Sequence, residues 1–188
     1  MIVVGIDPGK TGGIARLDTL VNQITFWAQP LDREGKYDEW TMRSLVQQLA
    51  ISGAELMVLE TFVPSPSFFG GKGRSTHQQS MAYGMWRSTL ASFFTKEQVI
   101  RVAAVTWKTR MQVTVPIIKA GKVATKEERD AAYEQRKIKA VRTAIKLFPN
   151  NEFITKRGRM MDGEAEAALL AKYGAEQLAK IEPGLPLA

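Results

Sequence analysis

Four acidic residues occupy positions at which a carboxylate is costly unless another group compensates its charge. Asp7 ends an apolar, β-branched stretch that begins at Met1, and Glu60 ends a second apolar stretch. Asp162 and Glu166 are four residues apart, so they share one face of the last predicted helix. Carboxylates at the edge of a core are expensive to desolvate, and several together raise each other's pKa. This combination predicts a cation-binding site.

Carboxylate oxygens are preferred ligands of Mg²⁺ and Mn²⁺. Two such ions about 4 Å apart can activate a water molecule and stabilise the leaving oxygen in phosphodiester cleavage. Each acid also has an ordinary explanation. Asp7 can cap the Asp-Pro-Gly turn, and Glu60 can pair with an arginine. Asp162 can cap a helix whose dipole favours Glu166. The joint pattern, rather than any single acid, indicates a metal centre.

The composition excludes several other kinds of site. The 188 residues contain no cysteine and one histidine, His77, which excludes disulfides, thiolate zinc sites and multi-histidine metal sites. We interpret His77 as a cap or surface group at the start of a helix. No apolar run approaches the ~20 residues of a membrane span, and the N-terminus does not resemble a signal peptide. We therefore expect a cytoplasmic protein with no membrane partner.

The net charge of +7 is distributed unevenly along the chain. Residues 1–100 contain nine basic and nine acidic groups, whereas residues 101–159 contain 15 basic and five acidic groups. Residues 160–188 contain two basic and five acidic groups. A concentrated basic segment favours a polyanionic partner, most often nucleic acid. The alternative is that the lysines of residues 119–146 form the solvated face of a helix.

The apolar patterning predicts an α/β domain over residues 1–180 with a C-terminal tail at 181–188. A Thr125–Glu128 capping box marks one helix start. We expect Trp40, Leu45, Val46 and Leu49 to form the buried face of the first helix. Five strands are predicted at residues 1–7, 14–20, 23–28, 55–61 and 98–105, and helices at 38–49, 77–94, 125–148 and 162–178.

Four sequence blocks around these acids resemble the RuvC-type Holliday junction resolvases, especially their bacteriophage-type members. The blocks occur in the family's order and span most of residues 1–178. They are Gly5-Ile6-Asp7-Pro8-Gly9, Val58-Leu59-Glu60, Val105-Thr106-Trp107-Lys108, and Ala144-Ile145-Lys146-Leu147-Phe148-Pro149 followed by Asp162-Gly163-Glu164-Ala165-Glu166-Ala167.

The resemblance implies a ribonuclease H-like fold, in which a five-stranded mixed sheet is flanked by helices and the first and fourth strands are neighbours. It also implies a homodimer that binds a four-way DNA junction and makes paired, metal-dependent nicks. These nicks would leave 5′-phosphates, and each site would use two Mg²⁺ ions, with Mn²⁺ as a substitute.

The resemblance also implies the catalytic and metal-binding residues. Carried over by position, Asp7, Glu60 and Glu166 are catalytic metal ligands. The family's usual spacing places the fourth acid at Gly163. We therefore assign this role to Asp162, which shares a helix face with Glu166, and keep Glu164 as the alternative.

DNA contacts are predicted on both sides of these acids. We expect at least one of Phe62, Phe68 and Phe69 to stack on an unpaired base. Either Lys137 or Lys139 would take the place of the basic residue that this family has near its active site. The phosphate-contact candidates are Lys72, Arg74, Lys108, Arg110, Lys119, Lys122, Arg136, Lys137, Lys139 and Arg142.

Other functions remain open. Another ribonuclease H-like nuclease, acting on flaps or RNA–DNA hybrids, would carry the same acids. A non-catalytic junction-binding protein would be expected to have lost some of them. An actin-like sugar kinase shares the pattern Asp7-x-Gly9-x-Thr11, but it needs a second domain for which 188 residues leave no room.

Overall fold

The computed structural model describes residues 1–62, 73–116 and 125–181, without the side chains of residues 73–76 and 181. Several predictions fall outside this part of the chain. They concern Phe68, Phe69, Lys72, the side chain of Arg74, Lys119, Lys122 and the tail after residue 181.

Five strands form one mixed sheet in the order β3-β2-β1-β4-β5. β1 is antiparallel to β2 and parallel to β4, while β2 and β3 are antiparallel and β4 and β5 parallel. All five predicted strands are therefore confirmed. Their bounds are β1 Ile2–Ile6, β2 Gly13–Asp18, β3 Gln23–Ala28, β4 Leu56–Thr61 and β5 Val99–Ala103.

Helices cover both faces of the sheet. Alternation along β1 directs Val3 toward the core shared with α4 and α5, and Val4 and Ile6 toward the core shared with α1 and α2. The helices are α1 Glu39–Ile51, α2 Gly73–Ala91, α3 Ala104–Arg110, α4 Lys126–Leu147 and α5 Asp162–Ile181. Within the described ranges, no helix has the length and apolar character of a membrane span.

One packing prediction, that of Trp40, was wrong. Trp40 is 82% exposed, and Met42 takes its place in the buried face of α1. At 100° per residue, Trp40 lies nearly opposite Met42 on the helix, so it points away from the sheet. On α2, Met81 is 49% exposed, whereas Ala82, Trp86 and Leu90 are buried. The spacing of four residues between these three places them on one helix face.

Two element boundaries also differ from the sequence prediction. α2 begins at Gly73, four residues before the predicted start at His77. The last strand ends at Ala103, and α3 follows it directly. The β-branched pair Val105-Thr106 favours strand in the sequence, but it lies in the first turn of this helix.

Candidate active site

Asp7 and Glu60 lie at adjacent strand ends because β1 and β4 pair in parallel, with Ile6 opposite Leu59. The Asp7 Oδ1 atom accepts a hydrogen bond from Gly9 N at 3.0 Å. The predicted turn cap is therefore present. A Cβ on Gly12 would lie 2.8 Å from the Asp7 Cγ atom, so only glycine fits there. The turn after β1 thus closes tightly around this carboxylate.

α5 brings Asp162 and Glu166 to the same place. A Cβ on Gly163 would lie 2.1 Å from the Thr11 carbonyl oxygen, so the first turn of α5 packs directly on the turn after β1. A cavity of about 320 Å³ is lined by Asp7, Glu60, Asp162 and Glu166 together. We call these four residues the acid cluster. Glu164 does not line the cavity, and its backbone packs against Gly13 instead.

α3 supplies two groups that contact the acid cluster. The Trp107 Nε1 atom donates a hydrogen bond to Glu60 Oε2 at 2.7 Å, and the indole is fully buried. The Lys108 Nζ atom lies 2.8 Å from Glu166 Oε2 and 4.0 Å from Glu60 Oε2. The sequence analysis placed Lys108 against DNA phosphates, whereas the structure places it among the carboxylates. The predicted block Val105-Thr106-Trp107-Lys108 was the signal for this position.

Of the two candidate lysines on α4, Lys137 is the one that reaches the acid cluster. Its Nζ atom lies 3.1 Å from Asp162 Oδ2 and 4.6 Å from the centre of the Tyr133 ring. Lys139 instead donates a hydrogen bond to the Thr114 carbonyl oxygen at 3.0 Å. Helix positions two residues apart point about 200° apart, which places these two lysines on nearly opposite faces of α4.

Burial and mutual repulsion shift the pKa values of the cluster. The pKa of Asp7 rises from 3.8 to about 8, first because the side chain is buried and then because Glu60 and Glu166 are near. Burial also raises the pKa of Glu60, against the opposing effect of Lys108. Burial lowers the pKa of Lys108, but Glu166 and Glu60 outweigh it, so the ammonium group stays charged. The two lysines therefore do not fully compensate the negative charge that the acid cluster would carry if all four acids were ionised.

A second set of hydrogen bonds holds the backbone around Asp7. The buried Gln29 side chain donates from Nε2 to the Asp7 carbonyl oxygen and accepts at Oε1 from Trp86 Nε1 at 3.2 Å. The Tyr37 hydroxyl donates to the Pro8 carbonyl oxygen at 3.1 Å. Burial, followed by the nearby Asp7, raises the pKa of Tyr37 to about 12. Sequence reasoning missed Gln29 and Tyr37, because neither carries a motif.

The donor set fits a divalent cation by its chemistry. Carboxylates surround one cavity, and two lysine ammonium groups already neutralise part of their charge. In the described ranges, no three acidic side chains converge closely enough to hold one ion as they stand. A metal ion would therefore enter a site in which Lys108 and Lys137 already pair with three of the four carboxylates, those of Glu60, Glu166 and Asp162.

The remaining candidate residues lie around this centre. Phe62 and Arg136 line a second cavity that adjoins Asp7 and Glu60. Arg110 of α3 forms an ion pair with Glu176 of α5 at 2.9 Å. Arg142 and His77 are exposed. Lys10, which the sequence analysis did not select, lines the acid cavity.

Comparisons with known proteins identify the fold. No family model and no curated protein matches the sequence. Among solved structures, the chain is similar to Thermus thermophilus RuvC in complex with a Holliday junction substrate, with a TM-score of 0.53 and 16% identity over 96% of both chains. A second Thermus thermophilus RuvC structure gives a TM-score of 0.48 and 17% identity, over 94% of this chain and 96% of that one.

The sheet order, the helices on both faces and this likeness confirm the predicted class, a ribonuclease H-like fold. Within that class, the chain resembles a solved structure of RuvC, which confirms the resemblance predicted from the sequence.

Proposed function

We propose that this protein is a structure-selective endonuclease that resolves four-way DNA junctions. The acid cluster carries this proposal, because four carboxylates from the turn after β1, from β4 and from α5 line one cavity in a RuvC-like fold. The solved RuvC structure that the chain resembles is described as a complex with a Holliday junction substrate. The basic charge of residues 101–159 adds support for a polyanionic substrate.

Asp7, Glu60, Asp162 and Glu166 are the proposed ligands of two Mg²⁺ ions, for which Mn²⁺ can substitute. When bound, the metal supplies an activated water molecule and stabilises the leaving oxygen. The chain's own residues orient these ligands. Trp107 and Lys108 hold Glu60 and Glu166, and Lys137 holds Asp162. Asp7 would have to be ionised to hold a metal ion, so metal binding below about pH 8 would release a proton.

A homodimer is part of the proposal, since paired nicks across one junction need two such centres. The expected products are linear duplexes with 5′-phosphate ends. These features follow from the resemblance of the four sequence blocks.

The substrate class is tested with end-labelled DNA in Mg²⁺. A four-way junction is compared with a linear duplex, a flap and an RNA–DNA hybrid of the same arm sequence. The proposal predicts symmetric nicks in the junction and no cutting of the linear duplex. Equal cutting of flaps or hybrids would instead assign a broader ribonuclease H-like nuclease. Tight junction binding without cleavage in any metal would indicate a binding protein.

A further inference from the structure

A short hairpin of residues 154–160 comes just before α5 in the chain. Ile154 and Met160 pair as an isolated antiparallel bridge that closes it. We call this segment the basic hairpin, because its exposed side chains include those of Lys156, Arg157 and Arg159. Within the residues that the structure describes, none of these three cations forms an ion pair. Their charge therefore has no internal use in the fold.

The basic hairpin is fixed beside β3, the edge strand nearest to it. The buried Phe153 ring lies 5.4 Å from the ring of Phe26 in β3, measured between ring centres. The Asn151 side-chain amide donates a hydrogen bond to the Ile24 carbonyl oxygen of the same strand at 2.8 Å. The Met161 N–H group donates to the Phe153 carbonyl oxygen at 2.9 Å. Because both ends of the hairpin are held, its cations are presented from a fixed base.

A second hairpin, of residues 31–37, has the same backbone but no net charge. In each hairpin, a bridge joins the first and the last residue, and the second residue donates a backbone hydrogen bond at 2.8 Å to the sixth. In each, the fifth residue is a glycine with positive φ, +72° at Gly35 and +78° at Gly158. We call residues 31–37 the neutral hairpin, because its charged side chains are Asp32, Arg33, Glu34 and Lys36.

The neutral hairpin shows that this backbone does not require cations. The sixth N–H group of each hairpin is also bound by one side-chain oxygen, that of Asp32 in the neutral hairpin and that of Thr155 in the basic hairpin. Lys36 pairs with Glu34 inside the neutral hairpin. The basic hairpin instead holds three like charges, which repel one another. Such an uncompensated cluster is typical of a surface that binds a polyanion.

The chain itself limits how far the basic hairpin lies from the acid cluster. Arg157 precedes Asp162 by five residues, so their Cα atoms are at most ~18 Å apart. A strand of duplex DNA advances about 3.4 Å per base pair, so this distance corresponds to about five base pairs. Two of the three cations are arginines, whose planar guanidinium matches the paired oxygens of a phosphate.

We propose that the basic hairpin binds the phosphates of a duplex arm within about five base pairs of the cut, on the β3 side of the acid cluster. Phosphate contacts position the DNA and carry no sequence information directly, so this surface adds affinity without base preference. The inference rests on the proposed function and deepens it, because it assigns a DNA-binding surface outside the acid cavity.

Two variants that lose the same charge test the phosphate contacts. The hairpin variant combines Lys156→Gln, Arg157→Gln and Arg159→Gln. The control variant combines Lys96→Gln, Lys146→Gln and Lys180→Gln. These three control lysines are exposed and lie far from the acid cluster, before the start of β5 and in the last turns of α4 and α5.

Junction binding is measured over a range of salt concentrations. The hairpin variant should bind at least about tenfold more weakly than the control variant in about 0.1 M salt. Its salt slope should be smaller by about 2–3, since each phosphate contact contributes about 0.9. Its kcat at saturating junction should equal that of wild type, because the hairpin does not contact the reacting atoms. Equal salt slopes for the two variants would overturn the proposal.

A transplant of the neutral sequence separates lost charge from lost structure. Thr155→Asp, Lys156→Arg, Arg157→Glu and Arg159→Lys together give the basic hairpin the side chains of the neutral one and leave Gly158 in place. This variant should unfold at the Tm of wild type and show the same loss of salt slope as the hairpin variant. Binding of the junction by the transplant with wild-type affinity would overturn the proposal.

The position of the contact is tested with neutral methylphosphonates, which replace a few consecutive phosphates at a time along each arm. One such window within about five base pairs of the cut should weaken binding by wild type and by the control variant, but not by the hairpin variant. Equal losses for all three proteins at every window would overturn the proposal.

These outcomes separate the inference from the proposed function. A wild type that binds and cleaves junctions, with a hairpin variant that behaves like the control variant, would refute the inference alone. A wild type that neither binds nor cleaves junctions would refute the proposed function as well.

Discussion

At the residue scale, two lysines contact different members of the acid cluster. Lys108 contacts Glu166 and approaches Glu60, while Lys137 contacts Asp162. Asp7 has Lys108 only as a distant, minor influence, and its pKa rises to about 8. Asp7 is therefore the acid that depends most on an added proton or cation.

Removing Lys108 should destabilise the protein when no divalent metal is present. The Lys108 side chain is 18% exposed, and loss of one partner leaves a largely buried charge uncompensated. We expect Lys108→Met to lower the free energy of unfolding by about 3 kcal/mol in chelator. Denaturant titration measures this difference. Lys146→Met, on the exposed surface of α4, should change it by less than about 0.5 kcal/mol. Equal stabilities of the two variants would contradict the contact.

Titration of Asp7 should lower the free energy of unfolding as the pH rises. Its folded pKa of about 8 exceeds the unfolded value of 3.8, so the folded chain keeps a proton that the unfolded chain has released. The free energy of unfolding therefore decreases between these two pH values.

Asp7→Asn removes this titration. The variant should match wild type near pH 4 and exceed it at pH 8 by on the order of 1 kcal/mol or more, which is about 2–4 °C in Tm for a chain of this size. Thermal unfolding in chelator across this pH range measures the difference. Parallel pH profiles for the two proteins would argue against a raised pKa at Asp7.

Sequence patterns predict the acids themselves better than their neighbours. Asp7 and Glu60 stand out because a charge follows an apolar strand. The contact between Trp107 and Glu60 and the contact between Gln29 and the Asp7 carbonyl oxygen depend on tertiary placement. No local sequence pattern predicts such contacts, because the partners are distant in the chain.

At the element scale, close backbone packing of α5 positions half of the acid cluster. Gly163 lets the first turn of α5 contact the turn after β1, and Gly5 lets α5 lie directly on β1. The sequence predicted this helix and the strands correctly. It did not predict α3, because seven residues with three β-branched side chains resemble a continued strand.

Gly163→Ala should separate α5 from the turn after β1. The added Cβ would lie 2.1 Å from the Thr11 carbonyl oxygen, so the backbone must move and carry Asp162 with it. We expect a loss of stability of about 1–3 kcal/mol, typical of overpacking, together with weaker metal binding by calorimetry.

Gly84→Ala is the control for this substitution, because nothing lies within 4 Å of its added Cβ in α2. That variant should gain about 0.5–1 kcal/mol from helix propensity. A Gly163→Ala variant that is as stable as Gly84→Ala would contradict the close packing.

At the scale of the whole molecule, the fold places one acid cluster at the edge of a sheet and basic residues around it. The net charge of +7 arises mainly from residues 101–159, which include α3 and α4. Part of this charge is internal, because Lys108 and Lys137 contact the acid cluster. The basic segment thus neutralises part of the acid cluster and also carries exposed cations, such as Arg101 and Arg142.

The central claim is that the acid cluster cleaves junctions, and two matched variants test it most directly. Asp7 follows β1, and Asp18 is the last residue of β2. Each accepts a hydrogen bond at 3.0 Å from the backbone N–H group of the residue two positions later. Only Asp7 lines the acid cavity. Cleavage of a labelled four-way junction in Mg²⁺ is measured for wild type, Asp7→Asn and Asp18→Asn.

The account predicts that Asp7→Asn binds the junction but does not cleave it, while Asp18→Asn cleaves it like wild type. Cleavage by purified Asp7→Asn at the wild-type rate would contradict the account, since Asp7 would then serve only to cap its turn.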